Sequence, residues 1–304
     1  MTILILDMNC NSSDLKYNLD CSRRPERKIV ISNQDEFIDL KDKNTITHLT
    51  IKGSLRLNPW LGWYTRVKIL FISSNYIEQE LKDITLRFCT SLHCPRNALN
   101  NLPYIPNLTY LNCSANGIND LSYMPNLTYL DCSYNNLAIL PKLPSCVTLK
   151  CNYNDIRDTL SNLPNCTDLD CSYNKLTKIH NLPKCLKLVS NINSLRSIEN
   201  LPNCIEIVCY KNKLKILSDI PNCNILICYE NSLINLPRLD KCIELDCSDN
   251  ELVALPDLPN CTTLNCSYNW IKSLPDLPQC TTLNCSSNKL ETLPAYIEQF
   301  KVVI

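Results

Sequence analysis

The chain has 304 residues, 30 basic and 30 acidic side chains for a formal net charge of +0, and a lopsided composition of 21 cysteines, 18 prolines and 3 glycines. Neutrality argues against holding nucleic acid or an anionic membrane through bulk charge, three glycines cannot build a phosphate-cradling loop, and no apolar run reaches the ~18 residues of a membrane-spanning helix. The N-terminus has a short apolar core, Ile3 to Leu6, against the roughly 7–15 residues of a secretory h-region, so a cytoplasmic, reducing location is expected and the cysteines are not read as a disulfide framework.

Residues 1–45 carry no repeat and read as an N-terminal cap. Their basic cluster, Arg23, Arg24, Arg27 and Lys28, reads as a solvated loop, and KIVIS, Lys28 to Ser32, as a strand able to cover the first turn. From residue 46 two loose units, around Ile51 and Ile72, precede a regular series. Aligned on the cysteine of L-x-C-S-x-N-x-L, the series is anchored at Cys94, Cys113, Cys132, Cys151, Cys171, Ser190, Cys209, Cys228, Cys247, Cys266 and Cys285. Every step is 19 residues except one of 20. A second cysteine lies five residues before most anchors, at Cys89, Cys146, Cys166, Cys185, Cys204, Cys223, Cys242, Cys261 and Cys280. Register alone therefore accounts for every cysteine except Cys10 and Cys21. Residues 46–293 hold about thirteen units, eleven of them regular, and 294–304 read as a C-terminal cap, because a bare last turn exposes core and strand edge.

Around each anchor a short strand is expected. In one unit Leu264 and Cys266 face one way and Thr263, Asn265 and Ser267 the other. One turn cannot bury its apolar side alone, so turns stack, their strands pairing in parallel at about 4.8 Å. The eight-residue return holds two prolines in many units and cannot form a normal helix. Cysteine at the two core slots acts as a small buried hydrophobe; the C-x₄-C spacing, repeated without histidines, is not that of a zinc site. Asn116, Asn135, Asn154, Asn174, Asn193, Asn212, Asn231, Asn250, Asn269 and Asn288 sit where each strand turns away. An amide that both donates and accepts can satisfy backbone groups of neighbouring turns there.

The unit C-x-x-L-x-C-x-x-N-x-L, followed by x-x-L-P-x-L-P-x as in ALPDLPNCTTLNCSYNWIKSLPDLPQ, resembles the leucine-rich repeat. Its tail is similar to the short L-P-x subtype of bacterial effectors, and its richness in cysteine and asparagine to repeats of large DNA viruses of amoebae. The resemblance implies a leucine-rich repeat solenoid: a parallel β-sheet on the concave face, extended, polyproline-like or short 3-10 returns on the convex face, and little helix. It also implies that the asparagines form a structural ladder and that the protein is a non-enzymatic protein–protein interaction scaffold with a viral or host partner. The alternative is a structural or virion-packaged component without a specific ligand. Bacterial relatives that are ubiquitin ligases carry a catalytic domain after the repeats; with fourteen residues beyond Leu290, none is expected here.

No chemistry-bearing constellation stands out. His93 and Cys94 are adjacent in a strand and so face opposite ways, and neither His48 nor His180 has a recognisable carboxylate partner. Asp168 and Asp170 share a face with Lys150 and Asp131 in a ladder of charges. No enzymatic activity, cofactor, metal, nucleic acid or membrane partner is expected, and the oligomeric state is not legible. The outward column immediately before each anchor reads His93, Asn112, Asp131, Lys150, Asp170, Val189, Val208, Ile227, Asp246, Asn265, Asn284. Val189, Val208 and Ile227, with Ile192, Tyr210, Ile225 and Tyr229 around them, form an apolar island with an acidic border. Such an island is either a partner site or lateral packing of β-branched side chains. A tyrosine row, Tyr134, Tyr153 and Tyr173, reads as packing.

Overall fold

The computed structural model describes residues 27–32, 34–40, 42–52, 60–73, 84–291 and 301–303. Cys10, Cys21, Arg23, Arg24 and most of the segment read as a C-terminal cap lie outside them. The chain divides into two compact units, Met1–Leu137 and Ala138–Ile304.

In the first unit β1 (Lys28–Ile31) and a short helix α1 (Gln34–Asp39) precede β2 (His48–Lys52), β3 (Ile69–Ser73), β4 (Ser91–His93), β5 (Tyr110–Asn112) and β6 (Tyr129–Asp131). The strands lie side by side in chain order and pair in parallel. Equivalent positions of successive turns face one another, so Ile29, Leu49, Leu70, Leu92, Leu111 and Leu130 make one inward column, and all six are buried.

The second unit contains β7 (Thr148–Lys150), β8 (Arg157–Leu160), β9 (Asp168–Asp170), β10 (Lys175–His180), β11 (Lys187–Val189), β12 (Ser197–Glu199), β13 (Glu206–Val208), β14 (Ile216–Leu217), β15 (Ile225–Ile227), β16 (Glu244–Asp246), β17 (Thr263–Asn265), β18 (Thr282–Asn284) and β19 (Lys301–Val303). One parallel sheet runs β7-β9-β11-β13-β15-β16-β17-β18-β19. Its inward column is Leu149, Leu169, Leu188, Ile207, Leu226, Leu245, Leu264 and Leu283, each side chain contributing about 1.5–3 kcal/mol by leaving water. Each unit is thus a solenoid of parallel strands with almost no helix.

The returns are built by two differently placed prolines. In turn after turn the N–H of the second-cysteine slot donates to the carbonyl three residues earlier, as Cys166 to Leu163 at 3.2 Å and Cys261 to Leu258 at 3.3 Å. Pro164 and Pro259 occupy the second position of these tight turns, where a fixed φ is favourable. The slot five residues before the second cysteine decides whether the return joins a sheet. It holds Pro141, Pro237, Pro256 and Pro275 in four turns of this unit, but Ser161, His180, Glu199 and Ser218 in four consecutive ones. In those four the returns pair as a second parallel sheet, β8-β10-β12-β14. The Ser218 N–H donates to the Ile198 carbonyl at 3.4 Å, a bond that proline in this slot cannot make. Extended returns are what the sequence predicts; a sheet within them is a refinement, and its cause is the donor that proline lacks. The single 20-residue step produces a register shift between β8 and β10 at Leu176/Lys178.

All nineteen described cysteines are buried and outside any disulfide. Those five residues before an anchor donate their thiol to the carbonyl two residues on, as Cys146 to Thr148 at 3.2 Å and Cys223 to Ile225 at 3.2 Å. Ser190 replaces cysteine in the anchor column; it is 0% exposed and its hydroxyl has no hydrogen-bond partner.

The asparagine after each strand bridges two turns. Asn212 Nδ2 donates to the carbonyls of Ser190, one turn back, and of Cys209, at 3.1 and 3.0 Å, while its Oδ1 accepts the Leu195 N–H at 3.0 Å. Asn116 and Asn135 in the first unit, and Asn174, Asn193, Asn231, Asn250, Asn269 and Asn288 in the second, each donate to the anchor carbonyls of their own turn and the preceding one. Asn154 donates to Cys151 and Asn152 within its own turn. Asn97 holds the same slot and donates to the Ile72 and Cys94 carbonyls at 3.3 and 3.0 Å; the motif LHCPRNAL already carries it.

Candidate functional site

The outer face of the second unit's main sheet has a recurring construction. In four turns the residue before the anchor is Asp or Asn (Asp170, Asp246, Asn265 and Asn284), and its Oδ1 accepts from both the N–H and the hydroxyl of a serine two residues on. Asp170 takes Ser172 at 3.1 and 2.6 Å, Asp246 takes Ser248 at 3.1 and 2.6 Å, and Asn265 takes Ser267 at 3.3 and 2.8 Å. These are turns in which a short polar side chain satisfies the local backbone as the strand ends.

Three consecutive turns between Asp170 and Asp246 abandon the device. Val189, Val208 and Ile227 stand in its first position, directly opposite one another on β11, β13 and β15. The second position holds Asn191, Tyr210 and Tyr229. The two tyrosine rings stack with centroids 4.5 Å apart and planes 4° from parallel, and burial, first of all, raises the Tyr229 hydroxyl above its ordinary pKa. Ile225 shares the face of Ile227 and pairs across to Glu206 and Glu244. Val189, Val208, Ile227, Tyr210, Tyr229 and Ile225 are half-exposed, whereas Asn191 is buried.

Ile192 lies three residues beyond Val189, where the chain leaves the sheet. The equivalent residue of each regular described turn has a left-handed backbone, φ 52–55°, filled elsewhere by Tyr153, Tyr173, Lys211, Glu230, Asp249, Tyr268 and Ser287. The conformation lets successive N–H groups reach the next turn, as Ile192 to Tyr210 at 3.0 Å and Asn193 to Lys211 at 3.4 Å. A β-branched residue is an outlier there, at about 1–3 kcal/mol of strain.

The border of the island is charged. Lys187 pairs with Glu206 at 2.9 Å and Lys211 with Glu230 at 3.5 Å. The hydrogen bond that Lys187 donates to Glu206 raises the ammonium pKa further above its already basic value. Asp170 stands opposite Val189 at one end of the row and Asp246 opposite Ile227 at the other.

Solved structures of known proteins share this architecture. YopM from Yersinia enterocolitica WA-314 superposes with a TM-score of 0.71 and 28% identity, over 85% of this chain and 63% of its own. This protein has the leucine-rich repeat fold. The repeat match spans 63% of the YopM chain. The APL1 leucine-rich repeat domain matches with a TM-score of 0.68 and 21% identity over 91% of this chain and 86% of its own. The Arabidopsis receptor kinase HAESA ectodomain, solved with an IDA peptide hormone ligand, matches with a TM-score of 0.60 and 19% identity over 85% of this chain and 56% of its own. These last two likenesses concern the fold. No family model matches the chain, and no curated protein matches it.

The repeats also bring together residues that sequence reasoning left apart. In the first unit Phe71, His93, Tyr110 and Tyr129 form one continuous stack, with successive centroids 4.3, 4.4 and 4.4 Å apart. It passes diagonally from one outward column to another, so reading either column alone misses it. Burial lowers the pKa of His93 and keeps the ring neutral. In the second unit Tyr153 and Tyr173 stack at 4.0 Å. Leu186, Ile205 and Ile243, each more than 40% exposed, occupy a slot just before the strand where other turns place threonine, such as Thr167, Thr262 and Thr281. Their signal was the departure from threonine in the same repeats that carry the island or border it.

Chemical groups are less gathered. Burial pushes the Cys89 and Cys94 thiols, and equally Cys166, Cys209 and Cys242, up to about 12, so they remain protonated and unreactive. Among the described residues no group of three His, Cys, Asp or Glu side chains is placed to hold a metal, and no helix is long and apolar enough to cross a membrane. A groove of about 240 Å³ between the returns at Ile139–Leu143 and Ile156–Leu163 is lined by aliphatic side chains with Lys142 and Arg157, a lining with no carboxylate, histidine or thiol.

Proposed function

We propose that this leucine-rich repeat protein is an interaction scaffold, and that its protein partner docks on the island of Val189, Ile192, Val208, Tyr210, Ile225, Ile227 and Tyr229. One observation carries the reading. Three consecutive turns give up an aspartate–serine or asparagine–serine pair that closes the strand end internally and present aliphatic and tyrosine side chains to solvent instead. A sheet that needed only to pack has no use for the exchange, since flanking turns are complete with the polar pair. Half-exposed apolar groups inside a charged border, with tyrosine among them, have the composition of an interface centre. The strained backbone of Ile192 points the same way, because strain is retained where the surroundings or the function require it.

The test is capture from the native cell by the wild-type protein and by Val208→Lys, with bound proteins identified by mass spectrometry. Val208 is half-exposed and its column tolerates Lys150, Asp170 and Asp246, so the variant is expected to melt within ~2 °C of wild type, in line with a surface change of ~0.5 kcal/mol or less. A specific protein retained by wild type and lost with Val208→Lys is the expected result. Identical captured sets, or a collapse of the melting temperature, overturn the reading.

A further inference from the structure

The island has a length, a width and a charge pattern, and together they describe what covers it. Asp170 and Asp246 lie on β9 and β16, with β11, β13 and β15 between them. At about 4.8 Å per strand the two carboxylates are separated by roughly 19 Å along the direction in which the turns stack. Across that direction the apolar surface runs from the level of Ile225 to that of Tyr229, about 13 Å at ~3.3 Å per residue.

The charges are distributed unevenly. In the middle Glu206 and Glu230 are already engaged by Lys187 and Lys211. At the ends Asp168 and Asp170 on β9, and Glu244, Asp246 and Asp249 at β16, form no salt bridge among the described residues. Asp170 and Asp246 each spend one carboxylate oxygen on a serine, and Asn265 reaches the other oxygen of Asp246 at 3.2 Å. Lys150 stands beyond Asp170 in register, without a salt bridge to it, so the β16 end is the more acidic.

We infer that the partner lays an amphipathic α-helix across β11, β13 and β15, its apolar stripe on the Val189–Val208–Ile227 row and a basic side chain towards each end. This rests on the reading of the island as the partner site and goes beyond it by naming the occupant. Three physical points select a helix over an extended segment. The backbone groups of these inner strands are committed to their neighbours in the sheet, so a crossing extended chain finds no edge to pair with, while a helix satisfies its own backbone. A helix is about 10–12 Å across with its side chains, which fits the ~13 Å width; one extended strand, about 4.8 Å wide, leaves much of the island uncovered. The ~19 Å between the acidic ends is matched, among helical spacings that keep two side chains on one face, by about fourteen residues at 1.5 Å each, so the two basic groups belong just under four turns apart, with the more strongly basic end on β16.

The probes are synthetic alanine-based helical peptides with one leucine stripe, titrated into the full chain and followed by fluorescence anisotropy. One carries lysines about fourteen residues apart on the face of the leucine stripe, the second carries glutamates in the same places, and the third is the lysine peptide with a central proline. The lysine helix is expected to saturate and to weaken with salt, and the other two to bind at least about tenfold more weakly. Glu244→Gln combined with Asp246→Asn, both groups being in contact with solvent, should remove most of the preference for lysine over glutamate. Equal binding of the lysine and glutamate peptides overturns the charge assignment, equal binding of the proline peptide overturns the helix, and absence of saturable binding by the lysine helix overturns the inference outright. Val208→Lys separates the two levels: peptide binding that it abolishes supports the island as the site even where the lysine preference fails, and binding that survives it overturns the island itself.

Discussion

At the scale of single residues, the repeat is defined by what each slot demands of its backbone and its burial. Ser190 sits in a cysteine column between Cys171 and Cys209, 0% exposed, with a hydroxyl that bonds to nothing. A buried hydroxyl without a partner destabilises, whereas a thiol in the same place acts as a small apolar group. Ser190→Cys is therefore expected to raise unfolding free energy by about 1 kcal/mol, measured by urea titration; a decrease would show that the column has no room for sulfur there. Much at this scale was legible in the sequence. The 19-residue register sorted nineteen cysteines into two columns, and alternation along the strand put Val189, Val208 and Ile227 on the outward face. The left-handed residue two positions after each anchor was not legible, because no turn places glycine there and Tyr, Lys, Glu, Asp, Ser and Ile all occur. The conformation is imposed by the bonds that the next turn offers, not by the residue's own preference.

At the scale of elements, the second sheet shows how one slot governs a whole layer. Its strands appear only where four successive turns lack proline five residues before the second cysteine. Ser122 also lacks proline, but stands alone in the sequence between Pro103 and Pro141, and forms no such strand. The signal lay in differences between repeats, and a consensus averages differences away. Ser218→Pro is expected to destabilise by roughly 1–3 kcal/mol and to release β14, because it removes the N–H that reaches Ile198. The control, Pro256→Ser, frees a donor beside Pro237 and Pro275 turns that cannot pair, and should shift stability by less than about 1 kcal/mol. Amide hydrogen exchange at Ile216 and Leu217 decides the matter: protection unchanged by Ser218→Pro would mean that the slot does not control the sheet. The diagonal stack of Phe71, His93, Tyr110 and Tyr129 was hidden for a related reason, since it crosses columns that repeat alignment keeps apart.

At the scale of the molecule, the cysteines set a condition for folding. An exposed thiol ionises near pH 9, whereas burial holds several of these up to about 12 and Cys261 to about 11. The folded state keeps its protons where the unfolded chain loses them, so the stabilisation is complete below pH ~9 and is lost as pH rises from there towards 11–12. Each such thiol takes about 1.4 kcal/mol from the folded state per pH unit in that window, and a handful suffices against the ~5–15 kcal/mol of an ordinary domain. Circular dichroism should show cooperative unfolding within that alkaline window, in step with the ultraviolet absorbance of thiolate. Thiolate appearing while the fold is intact would contradict the buried-core assignment.

The asparagine bridges run in one direction only. Asn212 reaches back to Ser190 and Leu195, Asn231 reaches back to Cys209 and Leu214, and in this way the carbonyl and N–H left open by one turn are closed by the turn that follows it. Since the ribosome delivers the chain from the same end, each turn emerges incomplete and waits for the asparagine about 22 residues behind its anchor. Within each unit these bridges set an order: the groups that one turn leaves open are closed by the asparagine that follows it in synthesis, never by one before it.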